Sequence, residues 1–233
     1  MIRAAVVASL LLVGLSGCND GGGSTPAGPV TSTLSFPLQS AYNTLVANGM
    51  ANTFTVVSGA CSGTGNKTSA PATTAATFER VPGLSAVETF TMTLSSSCVP
   101  LSTAQTSTSY YDSNYVPRGT NNVGVHYGVY LTPPTLPTSV TVGGTGIFGT
   151  ETLYTNSTKT TGNGRADRSY VIEADTSTTA IVNLIEKIYN ANGTLTVTEQ
   201  DRYRISAVGA LVPVSSDIQY ANGSATHLVL TYD

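Results

Sequence analysis

The chain of 233 residues has no tryptophan, only two histidines and three cysteines, and just 10% of its residues are charged. Each scarcity narrows the field. Ten Lys and Arg against thirteen Asp and Glu form no basic patch for nucleic acid or for an anionic membrane surface. His126 and His227 both sit in alternating strand patterns, and neither lies at metal-ligand spacing from a cysteine, so no metal and no cofactor are expected. No H-E-x-x-H, P-loop, D-x-D-x-D-G loop or G-x-G-x-x-G ahead of a helix is present. Gly59-Ala60-Cys61-Ser62-Gly63 only loosely resembles a nucleophile elbow, with cysteine at its centre. The apolar run Ala4–Leu15, broken by one serine, is shorter than the roughly 20 residues a membrane helix requires.

That run has another use. Arg3 supplies a short basic start, and Leu15-Ser16-Gly17-Cys18 ends the run with two small residues before a cysteine. This is the pattern of a secretory lipoprotein signal over residues 1–17, with Cys18 as the lipid-attachment site. Losing Arg3 leaves nine basic against thirteen acidic residues, a net charge of −4. Residues 18–33, opening with Asn19-Asp20-Gly21-Gly22-Gly23-Ser24, read as a flexible tether. Asn19 in place of Asp after the cysteine favours the outer membrane under the sorting rule of enteric bacteria. Cys61 and Cys98 then remain as a pair in an exported protein, and a disulfide between them closes a loop worth roughly 3–4 kcal/mol in the chain-entropy account.

Residues 34–233 are enough for one domain with a core. Hydrophobic residues make up 40%, and Thr and Ser fill the solvent-facing positions that Lys and Glu usually take. Pro37–Asn48 is the one helix expected, with Leu38, Ala41, Tyr42, Leu45 and Val46 at helical spacing and Gly49 as a stop. Beyond it the period is two. Phe54 and Val56, then Phe90, Met92 and Leu94, alternate with threonines, and in Val123–Leu131 the apolar positions alternate with His126, Gly128 and Tyr130. Gly59–Ala76 and Ser102–Ser109 read as loops, and Val140 with Val142 as the start of a strand continuing through Ile147–Tyr154. Val182–Ile205 reads as a hairpin about a two-residue Asn192-Gly193 turn, and Asn222-Gly223 offers another. The expected fold is mainly β, an antiparallel meander closing as a barrel or stacking as a sandwich, with one short N-terminal helix.

Candidate functional residues are few. Tyr111, Tyr154, Tyr189 and Tyr220 each precede turn chemistry and could line a binding face, although aromatics at strand ends usually pack. Glu173 with Asp175, and Glu199 with Asp201, are i, i+2 acid pairs; Arg202 and Arg204 stand ready to balance them.

Tyr110-Tyr111-Asp112-Ser113-Asn114-Tyr115, Glu173-Ala174-Asp175-Thr176, Glu199 through Ile205, and Ile218 through Gly223 resemble a group of uncharacterised predicted lipoproteins of Gram-negative bacteria. The resemblance implies an address in the cell envelope and brings no catalytic residue with it. The leading expectation is a non-enzymatic binding or structural module, anchored through Cys18, facing the periplasm and partnered by the membrane and an envelope protein. A periplasmic carrier of a lipid or other hydrophobic ligand is the second, and requires a large apolar cavity. An envelope hydrolase is the third, and requires His126 or His227 in a cleft beside a carboxylate.

Overall fold

Alternating threonine and apolar residues build the wall of a closed barrel. A computed structural model describes residues 28–58, 61–95, 102–221 and 227–233. Helix α1 (Leu38–Asn48) leads into β1 (Met50–Ser58), β2 (Cys61–Ser69), β3 (Thr74–Phe78), β4 (Val81–Leu94), β5 (Ser102–Tyr111), β6 (Pro117–Asn122) and β7 (His126–Tyr130). Then follow β8 (Thr145–Tyr154), β9 (Gly162–Ala174), β10 (Thr179–Tyr189), β11 (Leu195–Ser206), β12 (Leu211–Tyr220) and β13 (His227–Tyr232). All pairings are antiparallel and almost all join sequence neighbours; β1 pairs with β13, and β2 with β4, which closes a ring of 12 strands. The thirteenth, β3, continues the line of β2 along β4.

The β3–β4 hairpin folds back over the outside of the barrel. Its turn, Glu79-Arg80, has positive φ at both residues, as a two-residue type I′ turn needs. Phe78 stacks on Tyr110 and Tyr127, while Glu79 accepts a hydrogen bond from Tyr127 Oη and pairs with Lys159.

Helix α1 crosses the barrel at one end. Leu38 and Ala41 pack with Ile172, Val182 and Ile205 on the β9–β11 side, whereas Val46 packs with Ala86 and Tyr111 on the β4–β5 side. Tyr42 lies between, its ring edge-on to Phe148 at 5.7 Å. A ring of this many strands is too wide to be filled by side chains alone, so the helix serves as a plug. Phe36, bridged to Val140 on the β7–β8 connection, is fully buried beneath it. A second apolar cluster, Phe54, Val56, Met92, Leu94, Leu228 and Leu230, fills the β13–β1–β2–β4 side.

Several expectations are corrected. Gly59–Ala76 is largely strand: β2 and the start of β3 occupy it, and small residues are needed there. A Cβ on Gly65 would stand 2.3 Å from the Phe54 ring and 2.2 Å from the Thr91 carbonyl. Ser102–Ser109 is also strand, the body of β5, paired along its length with β4. Val123–Leu131 is not one strand, because the chain reverses at Val123-Gly124-Val125 (Gly124 φ 80°) between β6 and β7. Val140 makes only a single bridge, and β8 begins at Thr145. The β10–β11 connection is not a two-residue turn. It spans residues 190–194, and Asn190 Oδ1 accepts from the amides of Asn192 and Thr194. Asn222-Gly223 lies outside the described residues.

Candidate functional site

The two faces of the strands carry different chemistry. Outward positions hold threonines and charge pairs: Glu173 with Arg202 at 3.3 Å, Asp175 with Arg204 at 2.7 Å, and Arg165 with Asp167 at 3.0 Å. Asn183 donates to Glu173 and Gln200 on the same face. The acid pair Glu173/Asp175 is thus a neutralised outer surface. A groove of about 440 Å³ also lies on this outer wall, over β1, β2 and β4. Thr53, Thr55, Thr64, Asn66, Thr91 and Thr93 line it, hydroxyls and amide that water satisfies well.

The inward face is charged at mid-height, which is costly unless each group finds a partner. On one side Arg168 donates to Glu151 at 2.8 Å, to Glu186 at 2.8 Å and to the Tyr130 hydroxyl. Glu151 is fully buried and also accepts from Thr120 at 2.8 Å. Gly128 lies opposite because a Cβ there would meet the Glu151 carboxylate at 2.2 Å. Burial alone would weaken the Arg168 cation, but Glu186, Tyr130 and Glu151 outweigh it and hold its pKa above the ordinary arginine value.

Across the lumen, Lys67 on β2 reaches Asp201 on β11 at 3.0 Å and Glu199 at 3.9 Å. The strands β1, β13 and β12 lie between those two around the wall. Ser216 donates to Asp201 and hydrogen-bonds Tyr232. Burial disfavours the Lys67 cation, yet Asp201 above all holds its pKa well up. Glu199 goes the other way: burial, then the adjacent Asp201, lift its carboxyl far above the usual carboxylate range. Its direct cross-strand partner is Glu186, so the two half-networks meet there.

These groups lie deep in the barrel and yet are not sealed. The side chains of Lys67, Asp201, Arg168, Glu186 and Glu199 keep 20–28% of their surface accessible to water. Toward the end of the barrel away from α1, the inward-facing Gln105 is exposed. The interior therefore carries a layer of charged, partly water-accessible side chains between apolar clusters, with α1 across one end.

The sequence candidates scatter. Tyr111 is buried beside α1 at the plugged end, while Tyr154, Tyr189 and Tyr220 close strands at the opposite rim. There Tyr154 packs with the Phe78 cluster, Tyr189 lies under the Arg165 guanidinium at 4.1 Å, and Tyr220 is partly exposed. His126 faces the lumen, its Nε2 3.4 Å from Thr120 Oγ1, and burial lowers its pKa. His227 hydrogen-bonds Asp217 at 2.9 Å on the exposed outer wall. Among the described residues no three His, Cys, Asp or Glu are grouped to hold a metal, and no helix is long and apolar enough to cross a membrane. Cys61 opens β2, two residues before Gly63 pairs with Leu94; Cys98, four residues beyond Leu94, lies outside the described residues, as do Cys18 and the signal. Sequence reasoning missed Lys67, Glu151, Arg168 and Glu186. Lys67 stood in a stretch read as loop, and the others sit on different strands that only barrel closure brings together.

Comparisons with protein-family models, with curated proteins and with solved structures return no match.

Proposed function

We propose that this is a non-enzymatic binding protein of the cell envelope, anchored through Cys18, whose barrel takes a small polar ligand into its lumen. The observation supporting this reading is the water-accessible charge network on the inner wall. Inward acids (Glu88, Glu151, Glu186, Glu199, Asp201) outnumber the cations that pair with them, Lys67 and Arg168, so a ligand rich in hydrogen-bond donors suits the wall best. A lipid cargo is less well matched, because the apolar clusters are packed and charges stand between them. Hydrolysis is less well matched too. Thr120 gives its hydroxyl proton to Glu151 instead of His126, and the His227–Asp217 pair lies on the exposed outer wall.

A thermal-shift screen separates the readings. Small polar amines and polyols should raise the melting temperature of the mature protein, with fatty acids having no effect. Stabilisation by fatty acids alone, or by nothing in the panel, would count against a polar lumen site.

A further inference from the structure

The plugged end of the barrel is also where the N-terminal segment arrives, and exposed large apolar side chains stand around that point. Val30 bridges to Asp175 just past β9, and Ser32 is buried with its hydroxyl donating to the Ser177 carbonyl. Pro37 lies against Gly209 in the β11–β12 turn. Around this entry point stand Leu34, Leu131 at the end of β7 (74% exposed), Ile147 near the start of β8 (80%), and Val208 and Val212 flanking the β11–β12 turn, Val208 at 91%. Aliphatic side chains at such exposure, standing where the N-terminal segment arrives, mark a contact surface. The nearby charges cancel in pairs, Asp175 with Arg204 and Glu173 with Arg202, so the rim presents no net charge.

We infer that this rim seats on the lipid bilayer, with the plugged end toward the membrane and the opposite end facing away. The inference rests on the proposed acylation of Cys18. Eleven residues lie between Cys18 and Val30. A Gly/Ser/Pro-rich linker of that length spans on the order of 20 Å, so acylation at Cys18 would keep the rim within touching distance of the membrane at high effective concentration. A bilayer interface accepts exposed Leu, Ile and Val without a matching protein surface, as it does the apolar face of a peripheral helix. The remaining outer wall is mainly threonine and paired charge with scattered valines such as Val57 and Val87, the chemistry of a water-facing surface rather than a lipid-facing barrel band.

The absence of tryptophan makes the test direct, since one introduced indole is the sole reporter. Full-length acylated protein carrying Leu131→Trp, Val208→Trp or Val57→Trp is reconstituted into phosphatidylethanolamine/phosphatidylglycerol vesicles with and without brominated acyl chains. Val57, at the far end of β1, is exposed and serves as the control. The rim reporters should shift to the blue and lose intensity to bromolipid, while Val57→Trp should do neither. Intact mass of each preparation reports the acyl group separately. Acylated protein with unquenched rim reporters, or with the Val57 reporter quenched instead, would overturn the seating while leaving the anchor intact. A mature chain without acyl mass would overturn the anchor reading itself.

Discussion

Lys67 and Asp201 are joined at 3.0 Å across the barrel interior although three strands separate them around the wall. Their ion pair therefore ties opposite walls together and fixes how far apart they stand. Removing the amine leaves a buried carboxylate unpaired and a second, Glu199, with no cation within reach. Lys67→Met should cost about 3–5 kcal/mol, read by denaturant melts, and Lys67→Met with Asp201→Asn should recover much of that loss. Additive losses in the double variant would show that the pair does not act as a unit.

The outer pairs make a contrast. Arg204 lies on the exposed face, where water screens its bond to Asp175 and repays its loss. Arg204→Ala should shift stability by roughly 0–1 kcal/mol. A loss as large as that of Lys67→Met would mean the outer network is structural in its own right.

Glu199 sets a pH dependence whose sign is unusual for a carboxylate. Burial and Asp201 push its pKa up to about 8, so the folded state holds this proton more tightly than the unfolded chain does. Stability from this group is then complete below the ordinary carboxylate range and is lost as pH rises toward about 8. Glu199→Gln should be close to neutral at pH 4 and stabilising at pH 9, by an amount on the order of 1–3 kcal/mol. A benefit confined to acid pH would reverse the account.

The plug and the packed glycine test the two ends of the core. Leu38→Ala empties space between α1 and the β9–β11 wall and should cost about 2–5 kcal/mol. Gly65→Ala pushes a methyl into the Phe54 ring and should cost about 1–3 kcal/mol. Neither should alter secondary structure by circular dichroism, since both act on packing.

The sequence pairs Cys61 with Cys98, which lies outside the described residues, as a disulfide. A thiol titration of unreduced, denatured mature protein should find no free thiol; two would contradict the bridge.

What the sequence made legible follows from where burial is apolar. Phe54, Val56, Phe90, Met92 and Leu94 alternate with threonines because their inner neighbours are apolar too, and these strands were readable. The stripe of α1 was readable for the same reason. On β5 the inward residues are Thr103, Gln105, Ser107 and Ser109, because this stretch of wall faces a polar lumen. With polar residues on both faces there is no period to see. β2 was hidden by Gly63 and Gly65, which exist to admit neighbouring side chains and backbone. The acids illustrate the limit best. Glu173/Asp175 and Glu199/Asp201 look alike in sequence, yet Arg202 and Arg204 neutralise the first pair outside, while the second faces Lys67 within. Barrel closure decides between them, and it is non-local.

The central claim is that the lumen holds a small polar molecule, and native mass spectrometry of the protein released gently from its own envelope tests it most directly. The account predicts the acylated chain with one small, polar, non-lipid adduct, lost when the two networks are disrupted by Lys67→Met and Arg168→Met. A phospholipid or fatty-acid adduct, or a bare chain under conditions that preserve the fold, would contradict it.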